Sequence, residues 1–213
     1  SVGALCALEE VIGFDPREAE VIIGTSAGSV LASLVGGGVS PRQLRDHQLG
    51  VPITEGPLAG FSWDYERATT KRPGVPRLFG PGSGKLLRSS ARRLRQMPPT
   101  AVLSGFLPQG QGSLARIGHL VEAITPVGEW SPHPNLWICA MNYHSGTRVA
   151  FGRPGAPTAE LAQAVQASCA IPAWFKPVQI GDQQFVDGGA CSANSVDLLA
   201  SMGLDEVYVI APM

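Results

Sequence analysis

Residues 21–35, VIIGTSAGSVLASLV, constrain the fold more than any other stretch of the chain. The β-branched run Val21-Ile22-Ile23 predicts a strand. Gly24-Thr25-Ser26-Ala27-Gly28 is a G-x-S-x-G turn, and residues 29–35 predict a helix. Strand, pentapeptide and helix in that order make the nucleophile-elbow pattern, in which a serine hydroxyl stands clear of a sheet on a sharp turn. Side chains two residues to either side are expected to collide there, so Gly24 and Gly28 are read as the residues that fit. The turn also aims the first helix amides, that of Ala27 foremost, at the space beside Ser26. A developing oxyanion is stabilised there by the amide and by the positive helix end. The pentapeptide alone is weak, because an ordinary strand-to-helix turn carries the same letters. A membrane span is a poor alternative. Residues 21–39 carry no charge, but only ten of the nineteen are apolar and five are Gly, whereas a span needs about 20 predominantly apolar residues.

Composition bounds the rest. A chain of 213 residues with 44% hydrophobic content predicts one domain with a full core. A net charge of -1 offers no global electrostatic case for nucleic acid, and no such partner is expected. Cys6, Cys139, Cys169 and Cys191 are far apart and lie in apolar segments. They are read as buried thiols, not as a disulfide framework or a zinc site, and no cofactor or metal is expected. The chain opens inside a helical pattern without a start methionine and closes after the strand-like VYVIAPM. It is therefore expected to be a single domain over residues 1–213, cut at both ends from a longer protein.

Along the chain, residues 2–12 carry helical spacing with Gly13 as C-cap. Ser40-Pro41 predicts an N-cap and first position for a helix to about Gln48. Residues 50–112 are Pro/Gly-punctuated and are expected to form a variable insertion or lid. Nine of the chain's 16 Lys and Arg fall within residues 67–95. Inside that stretch, residues 85–96 predict a short basic amphipathic helix, either lying on an anionic lipid surface or packed on the domain. Gly82-Ser83-Gly84-Lys85 resembles the end of a phosphate-binding loop. It lacks the first Gly, where Phe79 stands, and the metal-holding Ser or Thr, where Leu86 stands. Further helices are predicted over 113–124, 158–167 (capped by Thr158) and 194–202. Strands are predicted over 135–141, 148–151, 184–186 and 206–211. Their alternation predicts an α/β fold, a three-layer α/β/α arrangement with a mostly parallel central sheet.

A serine needs a base. In the usual α/β-hydrolase order, a His follows the acid. Here His47, His119, His133 and His144 all precede Asp187. The remaining candidate base is Asp187 itself, at a predicted strand end and followed by Gly188-Gly189, which are read as letting a substrate come close. Partial desolvation would raise its pKa and suit it to the task. If Ser26 and Asp187 both follow strands of one parallel sheet, they should meet at its carboxyl edge.

Gly24-Thr25-Ser26-Ala27-Gly28 together with Asp187-Gly188-Gly189 resembles the patatin-like phospholipase family. So do Ala167-Ser168-Cys169-Ala170-Ile171-Pro172 with Phe175, Pro177 and Val178, the helix around Gly3, Leu5, Leu8, Glu9 and Glu10, and Asn194 after the aspartate. The resemblance covers both ends of the chain and hardly touches residues 50–113. It implies a patatin-like α/β fold and a serine lipid acyl hydrolase with a Ser-Asp dyad, Ser26 as nucleophile and Asp187 as base. It also implies a lipid or acyl-ester substrate and a Gly-rich oxyanion loop upstream of Ser1. Two alternatives stay open: a Ser-Asp-His esterase whose His lies beyond Met213, and a non-catalytic binding module of the same fold. Peripheral membrane contact through residues 67–95, and a cytoplasmic or peripherally membrane-associated location, are expectations.

Overall fold

The computed structural model describes residues 2–61, 82–93 and 97–211. Among the described residues five strands form one sheet: β1 (Ile22–Thr25), β2 (Leu136–Asn142), β3 (Arg148–Phe151), β4 (Val178–Ile180) and β5 (Gln183–Asp187). Seven α-helices are described: α1 (Val2–Ala7), α2 (Ala27–Gly36), α3 (Pro41–Gln48), α4 (Gly84–Arg93), α5 (Pro99–Phe106), α6 (Ala115–Glu122) and α7 (Leu161–Ser168).

β2 is the axis of the molecule, and all seven of its residues are buried. Its period-2 alternation sorts them onto two covered faces. Leu136, Ile138 and Ala140 join the core that holds Ala32 of α2, Val121 of α6 and Val165 of α7. On the other face, Trp137 and Cys139 pack with Leu198 and Leu199, and Met141 packs with Leu86 of α4 and Ala101 of α5. Phe151 and Phe185 meet edge-on with ring centroids 5.0 Å apart, both fully buried. Such a pair adds about 0.5–1.5 kcal/mol to its area burial. The three-layer α/β/α reading therefore holds.

The sheet is mixed where mostly parallel pairing was expected. β1 and β2 are parallel, whereas β3 and β5 both run antiparallel to β2, and β4 runs antiparallel to β5. The reason is local. Gly146 at φ 71° turns β2 back into β3, and Gly181 at φ 58° turns β4 back into β5. Connections this short can only join antiparallel neighbours.

Register then decides the geometry of the site. Cys139 pairs with Thr25 of β1 and with Ala150 of β3, while Ala140 pairs with Val149 of β3 and with Asp187 of β5. A strand has two edges, and β3 occupies one of them across both residues. β1 and β5 therefore share the other edge of β2, approaching from opposite ends and stopping at adjacent residues.

Several local expectations are met, and others are corrected. Gly13, at φ 74°, caps the first helix, whose final turn, Leu8–Ile12, widens to π geometry. Ser40 and Gln43 form a reciprocal capping box with Pro41 at the first position. The helix expected from Thr158 instead starts at Leu161 after Glu160. The helix expected over 194–202 is only a 3-10 turn, Val196–Leu199, because Ser195 enters it in left-handed geometry (φ 53°, ψ 22°). Residues 206–211 join no described strand, and Tyr208 stacks on Phe14 at 5.5 Å. β4 and α5 lie in segments for which no strand or helix was expected. Of the basic stretch 67–95, residues 67–81 and 94–95 lie outside the described residues, and of the expected lid over 50–112, residues 62–81 and 94–96 do. The described helix α4 buries Leu86 completely, against Met141 and Val186, and exposes Lys85 and Arg88. That apolar contact therefore serves packing on the domain. Among the described residues no helix is long and apolar enough to cross a membrane.

Candidate active site

β1 delivers Ser26 to the sheet end and α2 carries the chain away, so Ser26 is the helix N-cap. Its backbone stands at φ 53°, ψ -129°, a conformation that costs a non-Gly residue about 1–3 kcal/mol and persists only when its surroundings hold it. The pentapeptide thus forms a sharp, strained turn between β1 and α2. Gly24 is required for steric reasons: a Cβ there would lie 2.5 Å from Ser29 Cα and 2.7 Å from Ala32 Cβ, driving α2 off β1. Gly28 corrects the expectation of a collision on both sides. A Cβ there would meet nothing within 4 Å, because Gly28 faces open space. The amides of Ala27 and Gly28, at the first two helix positions, have no acceptor within the helix. Both residues are exposed beside Ser26.

The Ser26 hydroxyl donates to Asp187 Oδ2 at 2.6 Å, across 161 residues of sequence. Asp187 Oδ1 accepts from the Gly189 amide at 2.7 Å. Asp187 is 5% exposed. Burial pushes its carboxyl up from the ordinary 3.8, against the opposing pull of the bonds from Ser26 and the Gly189 amide. Gly188 is small for a different reason than expected. A Cβ there would lie 2.3 Å from the Cys139 carbonyl oxygen, so its missing side chain lets the loop close onto β2. The two side chains do meet at strand ends, as expected, but not along one edge of a parallel sheet. Their strands run in opposite directions and meet end to end on β2.

Around them sits a segment to which the sequence assigned no chemistry. Ser26 N–H donates to Ser168 Oγ at 2.9 Å, and Ser168 Oγ donates to the Cys139 carbonyl at 2.6 Å. The Cys169 thiol donates to the Ser26 carbonyl at 3.3 Å. Asp187 N–H donates to the Ala170 carbonyl at 3.0 Å. Burial pushes the Cys169 thiol up to about 12, so it is a neutral donor. The Ala-Ser-x-x-x-Pro letters marked the segment, but only proximity in the fold reveals these contacts.

Neither Ser26 nor Asp187 hydrogen-bonds to a histidine among the described residues. His133 Nε2 meets the Ala19 carbonyl, and His119 pairs with Glu122. Cys6, Cys139 and Cys169 are buried free thiols, while Cys191 is only partly buried. Among the described residues no group of three or more His, Cys, Asp or Glu could hold a metal ion. A cleft of about 640 Å³ opens beside Ser26, lined by Ala27, Gly28 and Asn194 and by apolar side chains including Leu31, Val35 and Leu199.

No curated protein matches the chain. The family model described as patatin-like phospholipase matches residues 1–200, a span that takes in Ser26, residues 167–172 and Asp187 together. Nearly the whole sequence is matched, so the chain belongs to the patatin-like phospholipase family.

Proposed function

We propose that this protein is a serine lipid acyl hydrolase that cleaves carboxylic esters through an acyl-enzyme on Ser26, with Asp187 as general base. Family membership supports lipid acyl hydrolysis in general. The observation that carries the finer assignment is the 2.6 Å hydrogen bond from the Ser26 hydroxyl to a buried carboxylate.

The chemistry follows from that contact. Ser26 Oγ attacks the ester carbonyl while Asp187 Oδ2 takes its proton. The oxyanion forms beside the Ala27 amide at the positive end of α2, where stabilisation is strongest as charge develops. Collapse expels the alcohol, which takes the proton back from Asp187. Water then attacks the acyl ester, giving its proton to the same carboxylate, which passes it to the departing Ser26 Oγ as the acid is released. Oδ1 is held by the Gly189 amide, which keeps Oδ2 aimed at Ser26 throughout. The cleft beside Ser26 has mostly apolar walls and suits an acyl chain. Contact of residues 67–95 with an anionic lipid surface belongs to the same proposal and rests on their charge.

The test is labelling with a fluorophosphonate probe followed by peptide mapping. The expected adduct is on Ser26. An adduct on another serine in an active preparation overturns the assignment.

A further inference from the structure

We infer that Ser168 is a positioning residue for the proposed nucleophile, and that Ser168-Cys169-Ala170 holds both members of the Ser26–Asp187 pair through their backbones. The inference rests on the Ser-Asp assignment above and adds to it the residues that keep the pair in register.

Ile22 N–H donates to the Asn135 carbonyl at 3.0 Å. A parallel ladder repeats this bond at every second residue, so continuing it would bring Ser26 N–H to the Cys139 carbonyl. The direct bond is replaced. The Ser168 hydroxyl stands between the two groups, accepting from Ser26 N–H at 2.9 Å and donating to the Cys139 carbonyl at 2.6 Å. β1 is thereby released from the ladder at the residue that must turn into the elbow, without an orphaned buried donor or acceptor. Ser168 is fully buried, so water does not readily substitute for it.

The next two residues complete the clamp. The Cys169 thiol donates to the Ser26 carbonyl at 3.3 Å, and the Ser29 hydroxyl reaches the same carbonyl at 2.6 Å. The Ala170 carbonyl accepts from Asp187 N–H at 3.0 Å. Three consecutive residues at the end of α7 thus bond the backbone of both partners. β1 and β5 bond to β2 but not to each other, so this segment ties one strand end to the other. The strained backbone of Ser26 is held by neighbours, as such a conformation requires.

The experiment is Ser168→Ala in the whole protein, read in three ways. The rate of fluorophosphonate addition to Ser26 and the kcat for a soluble short-chain ester are expected to fall about tenfold to a hundredfold, the effect of a small misplacement of a reacting group. KM is expected to hold, because Ser168 is buried away from the substrate. Amide exchange at Ser26 is expected to rise while that at Ile138 stays slow. Unchanged labelling and kcat in the folded variant overturn the inference, as does a loss confined to KM. Exchange in the wild-type protein keeps the idea open to refutation if the variant does not fold. A Ser26 amide exchanging as fast as an exposed loop amide overturns it, and a protected one supports it. A wild-type adduct on a serine other than Ser26 sinks the Ser-Asp reading itself. A Ser26 adduct formed at an unchanged rate in Ser168→Ala sinks only the clamp.

Discussion

Thr25 and Asp187, the last residues of β1 and β5, face adjacent residues of β2, Cys139 and Ala140, from opposite directions. That end-to-end meeting brings Ser26, one residue beyond Thr25, against the Asp187 carboxylate. A parallel neighbour would have presented a continuous ladder at this point, whereas two opposed strand ends leave a gap in which side chains take over.

Asp187→Asn keeps the shape of the side chain and removes the proposed base. General-base assistance is worth about 10²–10⁴ in rate, and kcat on a soluble ester is expected to fall by that order. Near-normal turnover would mean that Asp187 only shapes the turn. The Ser26 probe adduct should form correspondingly slowly in this variant.

The pH dependence has two opposite signs. Only the ionised Asp187 can accept the Ser26 proton, so activity is expected above its folded pKa and is lost as pH falls through it. Burial raises that pKa, so the acid limb of kcat/KM should lie above the ordinary carboxylate range. Stability runs the other way. A carboxyl raised in the folded state contributes stability that is complete below its unfolded pKa and is lost as pH rises through the folded value. Asp187→Asn should therefore have a higher Tm than wild type at neutral pH, with the gap closing in acid. An equal or lower Tm at neutral pH would refute this.

The four histidines are expected to be dispensable. Replacing His47, His119, His133 and His144 singly with Ala should leave ester hydrolysis within a few-fold of wild type, because neither Ser26 nor Asp187 bonds to any of them among the described residues. A loss approaching that of Ser26→Ala at one position would restore the triad alternative.

Gly24 and Gly28 should respond differently although they flank Ser26 symmetrically. A Cβ at Gly24 lies 2.5 Å from the backbone of α2. Gly24→Ala is expected to destabilise by about 1–3 kcal/mol, as overpacking does, and to lower activity with it. Gly28→Ala meets open space and should shift stability by no more than about 0.5 kcal/mol. Urea denaturation of the two variants distinguishes them.

Replacing Arg88, Arg92, Arg93 and Arg95 with Gln should weaken action on anionic vesicles and spare a soluble short-chain ester. A basic side chain near an anionic surface is worth about 1 kcal/mol, so vesicle activity should fall at least about tenfold. Equal loss on both substrates would contradict a surface role for this stretch.

The residues proposed to carry the chemistry stand out in the sequence because their requirements are local. A strand, two glycines around Thr25-Ser26-Ala27 and a helix fall within fifteen residues and carry the elbow pattern, and Asp187 ends its own short strand. β2 was equally legible, since a strand buried on both faces leaves a continuous apolar run, here Leu136 to Met141. Helix ends were legible where a nearby side chain caps them, as at Ser40, and were misread at residues 158–161, where none does. Ser145-Gly146 marks a turn between two strands, but nothing in the sequence marked β4 before Gly181, and the sheet was expected to be mostly parallel. Residues 194–202 carry helical spacing, yet the left-handed Ser195, with its hydroxyl 3.3 Å from that of Thr25, allows only one turn. How Ser26 reaches Asp187, and that Ser168 stands between Ser26 and Cys139, could not be read from any spacing. The contact between Ser26 and Asp187 spans 161 residues. Which edge of β2 each strand takes is a competition among pairings that sequence periodicity does not encode and only the assembled sheet resolves.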